Sequence, residues 1–255
     1  MKPLFKPTRL LLGMSLLWPM AYSTAQTVAP TEPAQAGTLQ AVTVTAERRT
    51  ENIKDVPSSI STLSGEKLDA LNTGGQDIRM LSGRVPSLNI ESSFGRAFPR
   101  FYIRGYGNTD FRSNASQPVS LIYDDIVQEN PILKGFPVFD VNRIEVLAGP
   151  QGTLFGRNAT GGAIHIITNR PAFATEGRIK VTGGNYDRRD IEGIYNTALG
   201  EDVAMRLTAA VQRRDGYIRD LTGGDDVNEE DKKNVRLALL WNAAENTEVL
   251  ARIGY

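Results

Sequence analysis

Glycine is concentrated in residues 149–162, a run whose backbone N–H groups could cradle a phosphate. A phosphate-binding loop requires Gly-x4-Gly-Lys-Ser/Thr at a strand-to-helix turn. Gly152 and Gly156 do not have that spacing, and Arg157 and Asn158 stand where the lysine and the hydroxyl residue would be needed. We therefore interpret the glycines as backbone bends or points of close backbone approach, and not as a phosphate site.

The amino-acid composition argues against several classes of functional site. The chain has no cysteine and a single histidine, His165. Disulfide bonds are excluded, and a zinc or copper site built from thiolates and imidazoles is not expected. A hydrolase would need a nucleophile with a positioned base, and no Gly-x-Ser-x-Gly motif is present. We expect no catalytic residue, no metal site and no cofactor, and we interpret His165 as an ordinary strand residue, packed or solvated.

The charge balance bears on possible partners. Basic and acidic residues number 29 each, so the chain has no net charge at pH 7. A balanced charge offers no electrostatic reason to bind nucleic acid, and we do not expect nucleic acid as a partner.

Two apolar strands are predicted on either side of the glycine run, at residues 143–147 and 163–168. They belong to residues 50–171, which predict an α+β domain: a mixed sheet with short helices, large enough to bury its own core. Further strands are predicted at residues 59–63, 88–91, 100–104 and 119–127, and short helices from Ser64 to the pair Gly74-Gly75 and over residues 76–81.

After residue 171 the pattern changes to period-two alternation, which is typical of β-strands. About five strands are predicted in residues 175–255, each of roughly the ten residues of a transmembrane β-strand. Short links at 200–202 and 243–246 alternate with a long, polar, acidic link at 215–233, as in bacterial barrels. In the clearest strand one face reads Val203, Met205, Leu207, Ala209 and Val211, and the other reads Ala204, Arg206, Thr208, Ala210 and Gln212.

Alternation by itself leaves two interpretations open. A soluble β-sandwich with one wet face has the same pattern. Trp241 and Tyr255 at strand ends favour a membrane, because aromatic residues gather at its two interfaces. The acidic residues of the long link lack the ligand spacing of an EF-hand, so we interpret that link as a solvated loop.

The N-terminal residues 1–25 have the features of a secretory signal peptide. Positive charge comes first, an apolar run follows at residues 10–21, and small residues precede Gln26. The apolar run is too short to span a bilayer, which needs about 20 residues. Residues 26–38 are rich in proline, alanine and threonine and predict a disordered linker.

Residues 39–46 follow the linker and contain alternating β-branched side chains. Two interpretations remain open for this segment. It is either a peptide held free to add itself as a strand to another protein's sheet, or the first strand of the domain. Its residues are Leu39, Gln40, Ala41, Val42, Thr43, Val44, Thr45 and Ala46.

The run VNRIEVLAGPQGTLFGRNATGGAIHIITNRP, residues 141–171, closely resembles the end of the plug domain of TonB-dependent outer-membrane receptors. Residues 103–105, Ile-Arg-Gly, resemble a second signature of that family, and residues 39–46 resemble its TonB box. The resemblance implies that the α+β plug domain is followed by the first antiparallel strands of a transmembrane β-barrel. Because the family barrel has about 22 strands, we expect this sequence to be the N-terminal part of a longer receptor.

In that family an arginine of the Ile-Arg-Gly signature and another just before the Gly-Pro turn pair with glutamates of the barrel wall. The resemblance implies this role for Arg104, but the second position is Ala148. These pairs lock the plug inside the barrel. The lock is therefore weaker here, or Arg143 or Arg157 takes the place of the missing arginine. The residues that the resemblance assigns to the lock and the plug motif are Arg104, Gly105, Arg143, Glu145, Gly149, Pro150, Gly152, Gly156, Gly161 and Gly162.

The implied function is active transport of a ligand, most often a ferric siderophore, across the outer membrane of a Gram-negative bacterium. The implied partners are the ligand, outer-membrane lipid and TonB, which pairs with the TonB box and couples it to the inner-membrane proton gradient. The alternative is a soluble periplasmic or secreted module that uses the plug fold for binding without transport. Loop position suggests as ligand contacts Arg96, Tyr106, Asn108, Asp110, Gln128 and Asn130.

Overall fold

The computed structural model describes residues 42–255 except 46–48, 73–76, 95–96, 111, 113, 136, 222 and 225, and the described residues belong to one compact unit. The predicted signal peptide and linker, and residues 39–41 and 46 of the predicted TonB box, lie outside the described residues. Within the described ranges, no helix is both long enough and apolar enough to cross a membrane.

Residues 42–171 form the globular domain of the chain. Its strands are β1 (Thr43–Val44), β2 (Glu51–Asn52), β3 (Ser59–Ser64), β4 (Leu88–Glu91), β5 (Arg100–Ile103), β6 (Val119–Tyr123), β7 (Ile126–Val127), β8 (Val141–Ala148) and β9 (Gly162–Thr168). Its helices are α1 (Gly65–Asn72), α2 (Gly152–Phe155) and the 3-10 helices Ile78–Leu81 and Leu133–Gly135. The central sheet has the order β3-β8-β9-β6-β7, with β6 and β9 parallel and the other neighbours antiparallel. This confirms the predicted α+β domain with a mixed sheet.

The central sheet buries side chains on both of its faces. Ile144 and Ile164 pack with Phe101 in the larger core cluster, whereas Leu147 packs with Phe155 in the smaller one. Strands covered on both faces read as nearly continuous apolar runs rather than alternating ones. This explains why β8 and β9 stand out in the sequence as apolar strands.

The predicted strand at residues 119–127 is in fact two strands. β6 ends at Tyr123, and Asp124 and Asp125 form a two-residue turn before β7, with φ of 46° and 69°. Tight hairpin turns require this left-handed backbone, and aspartate tolerates it because its short polar group can hydrogen-bond locally. The prediction of one continuous strand was wrong because an Asp-Asp pair is a weaker turn signal than Asn-Gly.

Residues 176–254 form the meander sheet, in which sequential strands are antiparallel neighbours. Its strands are β10 (Glu176–Gly184), β11 (Arg188–Ala198), β12 (Val203–Arg214), β13 (Glu230–Ala244) and β14 (Thr247–Gly254). Along β12 the side chains of Arg206 and Thr208 are buried, whereas those of Leu207 and Val211 are exposed. The two faces of β12 are those that the alternation predicts, and the face with the polar side chains is the covered inner one.

The link between β12 and β13 is shorter than predicted. β13 begins at Glu230, so Glu230 and Asp231 belong to the strand and the loop covers only residues 215–229. Asp231 stands opposite Arg213 and accepts a hydrogen bond from it at 3.2 Å, and Glu230 stands opposite Arg214. Opposite charges in cross-strand pairs stabilise a strand whose composition resembles a polar loop.

Gly162 begins β9 and lies in close contact with the backbone of β8. Its φ is +151°, and a Cβ at this position would lie 2.4 Å from the carbonyl oxygen of Leu147 and 2.6 Å from Cδ1 of Ile103. Gly152 begins α2, and a Cβ there would have nothing within 4 Å. Of these two glycines, only Gly162 is required by its surroundings.

We expect Gly162→Ala to destabilise the globular domain by about 1–3 kcal/mol, because a backbone clash and an unfavourable φ must both be accommodated. Gly152→Ala is the matched control and is expected to be neutral or slightly stabilising, since alanine is the better helix former. Thermal unfolding of the two variants measures the difference. Equal stability of both variants would contradict the close packing at Gly162.

His165 lies in β9 opposite Glu145 of β8 and is almost fully buried. Within the part of the chain that the structure describes, neither ring nitrogen has a hydrogen-bond partner, and Oδ1 of Asp125 is 3.6 Å from Nε2. Burial lowers the pKa of His165 below its ordinary value, although Glu145 and Asp125 act in the opposite direction. The packed interior of the sheet therefore holds the neutral imidazole.

The pH dependence of stability tests this burial, because the chain has one histidine. The folded pKa is depressed, so below the unfolded value of about 6.5 the unfolded chain binds a proton that the folded chain does not. The free energy of unfolding should consequently fall as the pH is lowered from about 7.5 to 5.5. We expect His165→Gln to remove most of this slope in thermal unfolding. A slope that persists in the variant would assign the dependence to another group.

Candidate functional site

The glycine run forms a closed loop between β8 and β9. The N–H of Gly149 donates to the carbonyl of Gly161 at 3.1 Å, and the N–H of Gln151 donates to the carbonyl of Ala159 at 2.7 Å. The short helix α2 lies inside this loop, and its Phe155 packs into the smaller core cluster. These backbone hydrogen bonds join the two ends of the loop, and Gly149 and Gly161 of the predicted plug motif take part in them.

The described part of the predicted TonB box, residues 42–45, is docked beside this loop. β1 pairs antiparallel with β2, and the side chain of Val44 is fully buried in the cluster that contains Phe155. The expectation of a freely held peptide is therefore not met for residues 42–45. They form a strand of the domain because burying Val44 removes apolar surface from water.

A buried carboxylate holds the end of this strand. Glu145 of β8 is fully buried, and its Oε1 accepts hydrogen bonds from the backbone N–H of Thr45 at 2.8 Å and from Nε of Arg143 at 2.7 Å. Nη2 of Arg143 donates to Oγ1 of Thr45 at 3.0 Å. A buried charge must be paired and hydrogen-bonded. Glu145, Arg143 and Thr45 thus form one unit, here named the Thr45 clamp.

A second buried carboxylate joins the globular domain to the meander sheet. Asp140 accepts hydrogen bonds from Nη2 and Nε of Arg206 at 2.6 and 2.8 Å, from Oγ1 of Thr208 at 2.7 Å and from Nη2 of Arg236 at 3.2 Å. Asn169 donates a further bond at 2.8 Å. Burial alone would raise the pKa of Asp140, but the bonds from Arg206, Thr208 and Asn169 outweigh it and lower that pKa below its usual value. The carboxylate is therefore ionised.

Other ionic contacts between the globular domain and the meander sheet are more exposed or longer. Arg170 pairs with Glu248, and both side chains are about half exposed. Nε of Arg252 lies 3.6 Å from Oδ2 of Asp124. Among the described residues, the group around Asp140 is the most deeply buried ionic contact between these two parts of the chain.

The three arginines considered for the plug lock lie in different parts of the globular domain. Arg104 is exposed at the turn after β5, with a φ of 55°. Arg143 belongs to the Thr45 clamp, and Arg157 forms an ion pair with Glu129 on the surface of the globular domain. In the buried contact with the meander sheet the charges are arranged the other way round, with Asp140 on the globular domain and the arginines on the sheet.

Sequence reasoning missed Asp140 and the residues that bond to it. A signal was present, since Arg206 and Arg236 lie on the polar faces of predicted strands. An arginine that becomes buried beneath a domain needs a carboxylate partner. That partner could not be identified from sequence spacing, because Asp140 is far from both arginines along the chain.

The predicted ligand contacts lie in loops of the globular domain. Asn108, Asp110 and Asn130 each accept, through the side-chain oxygen, a hydrogen bond from the backbone N–H two residues later. Such bonds stabilise the local conformation of a loop. These three side chains therefore have a structural role in addition to any contact with a ligand. The other three are Arg96, which lies outside the described residues, Tyr106, which is exposed, and Gln128, which donates to the carbonyl of Ile126 at 3.3 Å.

We expect Glu145→Gln to loosen residues 42–45, because the neutral amide leaves the guanidinium of Arg143 without its charge partner. Hydrogen–deuterium exchange in the peptide that contains Thr45 should accelerate by about tenfold or more. Glu129→Gln removes an exposed ion pair and serves as the matched control, with an expected change within about twofold. Unchanged exchange in Glu145→Gln would show that the Thr45 clamp does not hold the strand.

Comparisons with known proteins agree with this architecture. Residues 52–163 match the family described as the TonB-dependent Receptor Plug Domain. The ferrioxamine receptor of Yersinia enterocolitica is 25% identical over 199 residues, which cover 76% of this chain and 26% of that receptor. The vitamin B12 transporter BtuB of Vibrio vulnificus (strain CMCP6) is 27% identical over 210 residues, which cover 80% of this chain and 31% of the transporter.

Solved structures share the fold. The ferric yersiniabactin uptake receptor FyuA from Yersinia pestis has a TM-score of 0.70 at 24% identity, covering 77% of this chain and 31% of that protein. The pyoverdine outer membrane receptor FpvA from Pseudomonas aeruginosa has a TM-score of 0.68 at 20% identity, covering 83% and 29%. The chain spans about a quarter to a third of the length of these relatives. Residues 52–163 therefore match a TonB-dependent receptor plug domain, and the antiparallel sheet that follows them has the fold seen in the solved receptors.

Proposed function

We propose that this chain is part of a TonB-dependent receptor that actively imports its ligand across the outer membrane of a Gram-negative bacterium. The observation that carries the proposal is the position of the globular domain on the polar inner face of a sheet whose apolar outer face is open. The globular domain is then the plug, and the meander sheet is part of the barrel wall. The relatives named for ferrioxamine, yersiniabactin and pyoverdine support a ferric siderophore as the ligand class.

The outer face of the meander sheet supports a location in the membrane. Ile179, Val181 and Ile253 are 79%, 73% and 70% exposed. Moving apolar surface from water into hydrocarbon is favourable by about 25 cal/mol per Å². Trp241 and Tyr255 are exposed as well, which fits the aromatic girdles of outer-membrane barrels. A soluble binding module would leave this apolar face in water, so the face disfavours that alternative.

In this proposal residues 1–25 direct export, residues 26–38 are a linker and residues 39–46 are the TonB box. Coupling requires residues 42–45 to leave the globular domain so that the TonB box can pair with a strand of TonB. The pairing of β1 with β2 involves two residues on each strand, and a two-stranded pairing of that length is marginal by itself. Burial of Val44 and the Thr45 clamp are therefore the contacts that release must overcome.

Ligand recognition is assigned to long loops. In the globular domain these loops are residues 106–117 and 128–136. In the meander sheet the loop is residues 215–229. In bacterial barrels the long loops lie on the extracellular side and the short turns on the periplasmic side. A ligand held between these loops would contact both the plug and the wall, and force delivered through the paired TonB box would rearrange the plug beneath it.

Uptake measurements test the proposal. The probes are radiolabelled ferric complexes of ferrioxamine B, yersiniabactin and pyoverdine, given under iron limitation to cells whose outer membrane holds the complete gene product and no other receptor for them. We expect uptake of at least one probe, and we expect deletion of residues 39–46 to abolish uptake while surface binding remains.

Deletion of residues 28–35, an equal length within the linker, is the matched control and should leave uptake unchanged. Uptake that survives deletion of residues 39–46 would contradict the coupling role. A receptor that binds none of the probes would contradict the siderophore assignment.

A further inference from the structure

The carboxylate of Asp140, on the globular domain, is fully buried against the meander sheet. We propose that Asp140 is a positioning residue that fixes the globular domain against the inner face of the meander sheet, through the guanidinium groups of Arg206 and Arg236. The proposal rests on the geometry of this contact and is independent of the ligand and of transport.

The carboxylate of Asp140 uses its full capacity to accept hydrogen bonds. Oδ1 accepts from Nη2 of Arg206 and Nδ2 of Asn169, and Oδ2 accepts from Nε of Arg206, Oγ1 of Thr208 and Nη2 of Arg236. An ionised carboxylate has about four lone-pair sites, so this one is saturated. Arg206 places one nitrogen on each oxygen, the two-point geometry that makes such bonds strong and directional. The contact therefore defines an orientation as well as an attraction.

The main chain beside the carboxylate binds the same sheet. Nη2 of Arg236 donates to the carbonyl of Asp140 at 3.0 Å and to that of Phe139 at 3.2 Å, and its guanidinium carbon lies 4.7 Å from the centre of the Phe139 ring. Asp140 itself has a φ of 48°, which is uncommon for a residue other than glycine. The hydrogen bonds from the two arginines are made with Asp140 in this left-handed conformation.

The arginines depend on Asp140 in turn. Their side chains are almost fully buried, at 9% exposure for Arg206 and 8% for Arg236. The other partner of Arg206 is Glu176, which is 61% exposed, and Arg236 also bonds to the neutral phenol of Tyr123. Without Asp140, two positive charges would remain in a covered region, and an uncompensated buried charge is strongly unfavourable. Removing the carboxylate should consequently open the interface to water.

Labelling of an introduced cysteine tests the proposal, since the chain has no cysteine of its own. Ala238 is 2% exposed and stands directly opposite Arg206 in the β12–β13 register. Ala238→Cys therefore places a thiol on the inner face of the meander sheet. The rate at which a water-soluble maleimide labels this thiol in the complete receptor, without ligand and without TonB, measures opening of the interface.

We expect Asp140→Asn to accelerate labelling by about tenfold or more. Arg170→Gln breaks the half-exposed pair with Glu248 across the same interface and is the matched control, with an expected change below about twofold. Arg206→Lys keeps the charge but loses the two-point geometry, so an intermediate rate is expected.

Combining Asp140→Asn with Arg206→Gln should label no faster than Asp140→Asn alone, because both residues act in one contact. An unchanged rate in Asp140→Asn would overturn the proposal. It would also be overturned if the acceleration in the double variant equalled the product of the accelerations in the two single variants.

A second thiol separates opening of the interface from unfolding of the globular domain. Ala159→Cys lies in the smaller core cluster of that domain, and its labelling should stay slow when Asp140 is replaced by asparagine. Equal acceleration at both thiols would mean that the whole domain unfolds, and this too would overturn the proposal. Because the labelling needs neither ligand nor TonB, its failure leaves the proposed transport function untouched, and failed uptake leaves the role of Asp140 untouched.

Discussion

A buried positive charge needs a negative partner at the same place, and this requirement ties the two parts of the molecule together. Arg206 and Arg236 point inward from a sheet whose inner face is covered, and Asp140 of the globular domain receives both. Hydrogen bonds between charged groups are directional as well as strong. The ionic contact therefore sets the position of the globular domain, and the remaining interface can consist of longer or more exposed contacts.

The strand β8 links the buried carboxylates of Asp140 and Glu145. Asp140 directly precedes its first residue, and Glu145 lies within it and holds Thr45 together with Arg143. One strand thus contacts the meander sheet at its start and the N-terminal segment further along. Because β8 is an inner strand, hydrogen-bonded to β3 on one side and β9 on the other, the two carboxylates are connected by a well-supported element and not by a flexible loop.

The two faces of the meander sheet differ in polarity and in exposure. Over its central strands the inner face buries charged and polar side chains such as Arg206, Thr208 and Arg236, whereas the outer face exposes large apolar ones, the reverse of the usual arrangement in a soluble protein. Both faces would be in favourable surroundings if the outer face contacted lipid and the inner face contacted the polar globular domain. The physical pattern of the sheet and the similarity to TonB-dependent receptors therefore support the same placement from independent observations.

Local pattern in the sequence determined most of the elements. Apolar runs beside the glycine run predicted β8 and β9, and period-two alternation predicted the strands of the meander sheet, because both signals depend on near neighbours along the chain. The turn at Asp124 and the start of β13 at Glu230 escaped prediction, since a backbone angle and a cross-strand partner are not properties of local composition. Only the tertiary structure determined which residues pair with the buried carboxylates of Asp140 and Glu145. Asp140 and Arg206 are 66 residues apart and Thr45 and Glu145 are 100 apart, and a charge acquires its partner and its burial only when the folded chain brings such distant residues together and excludes water from around them.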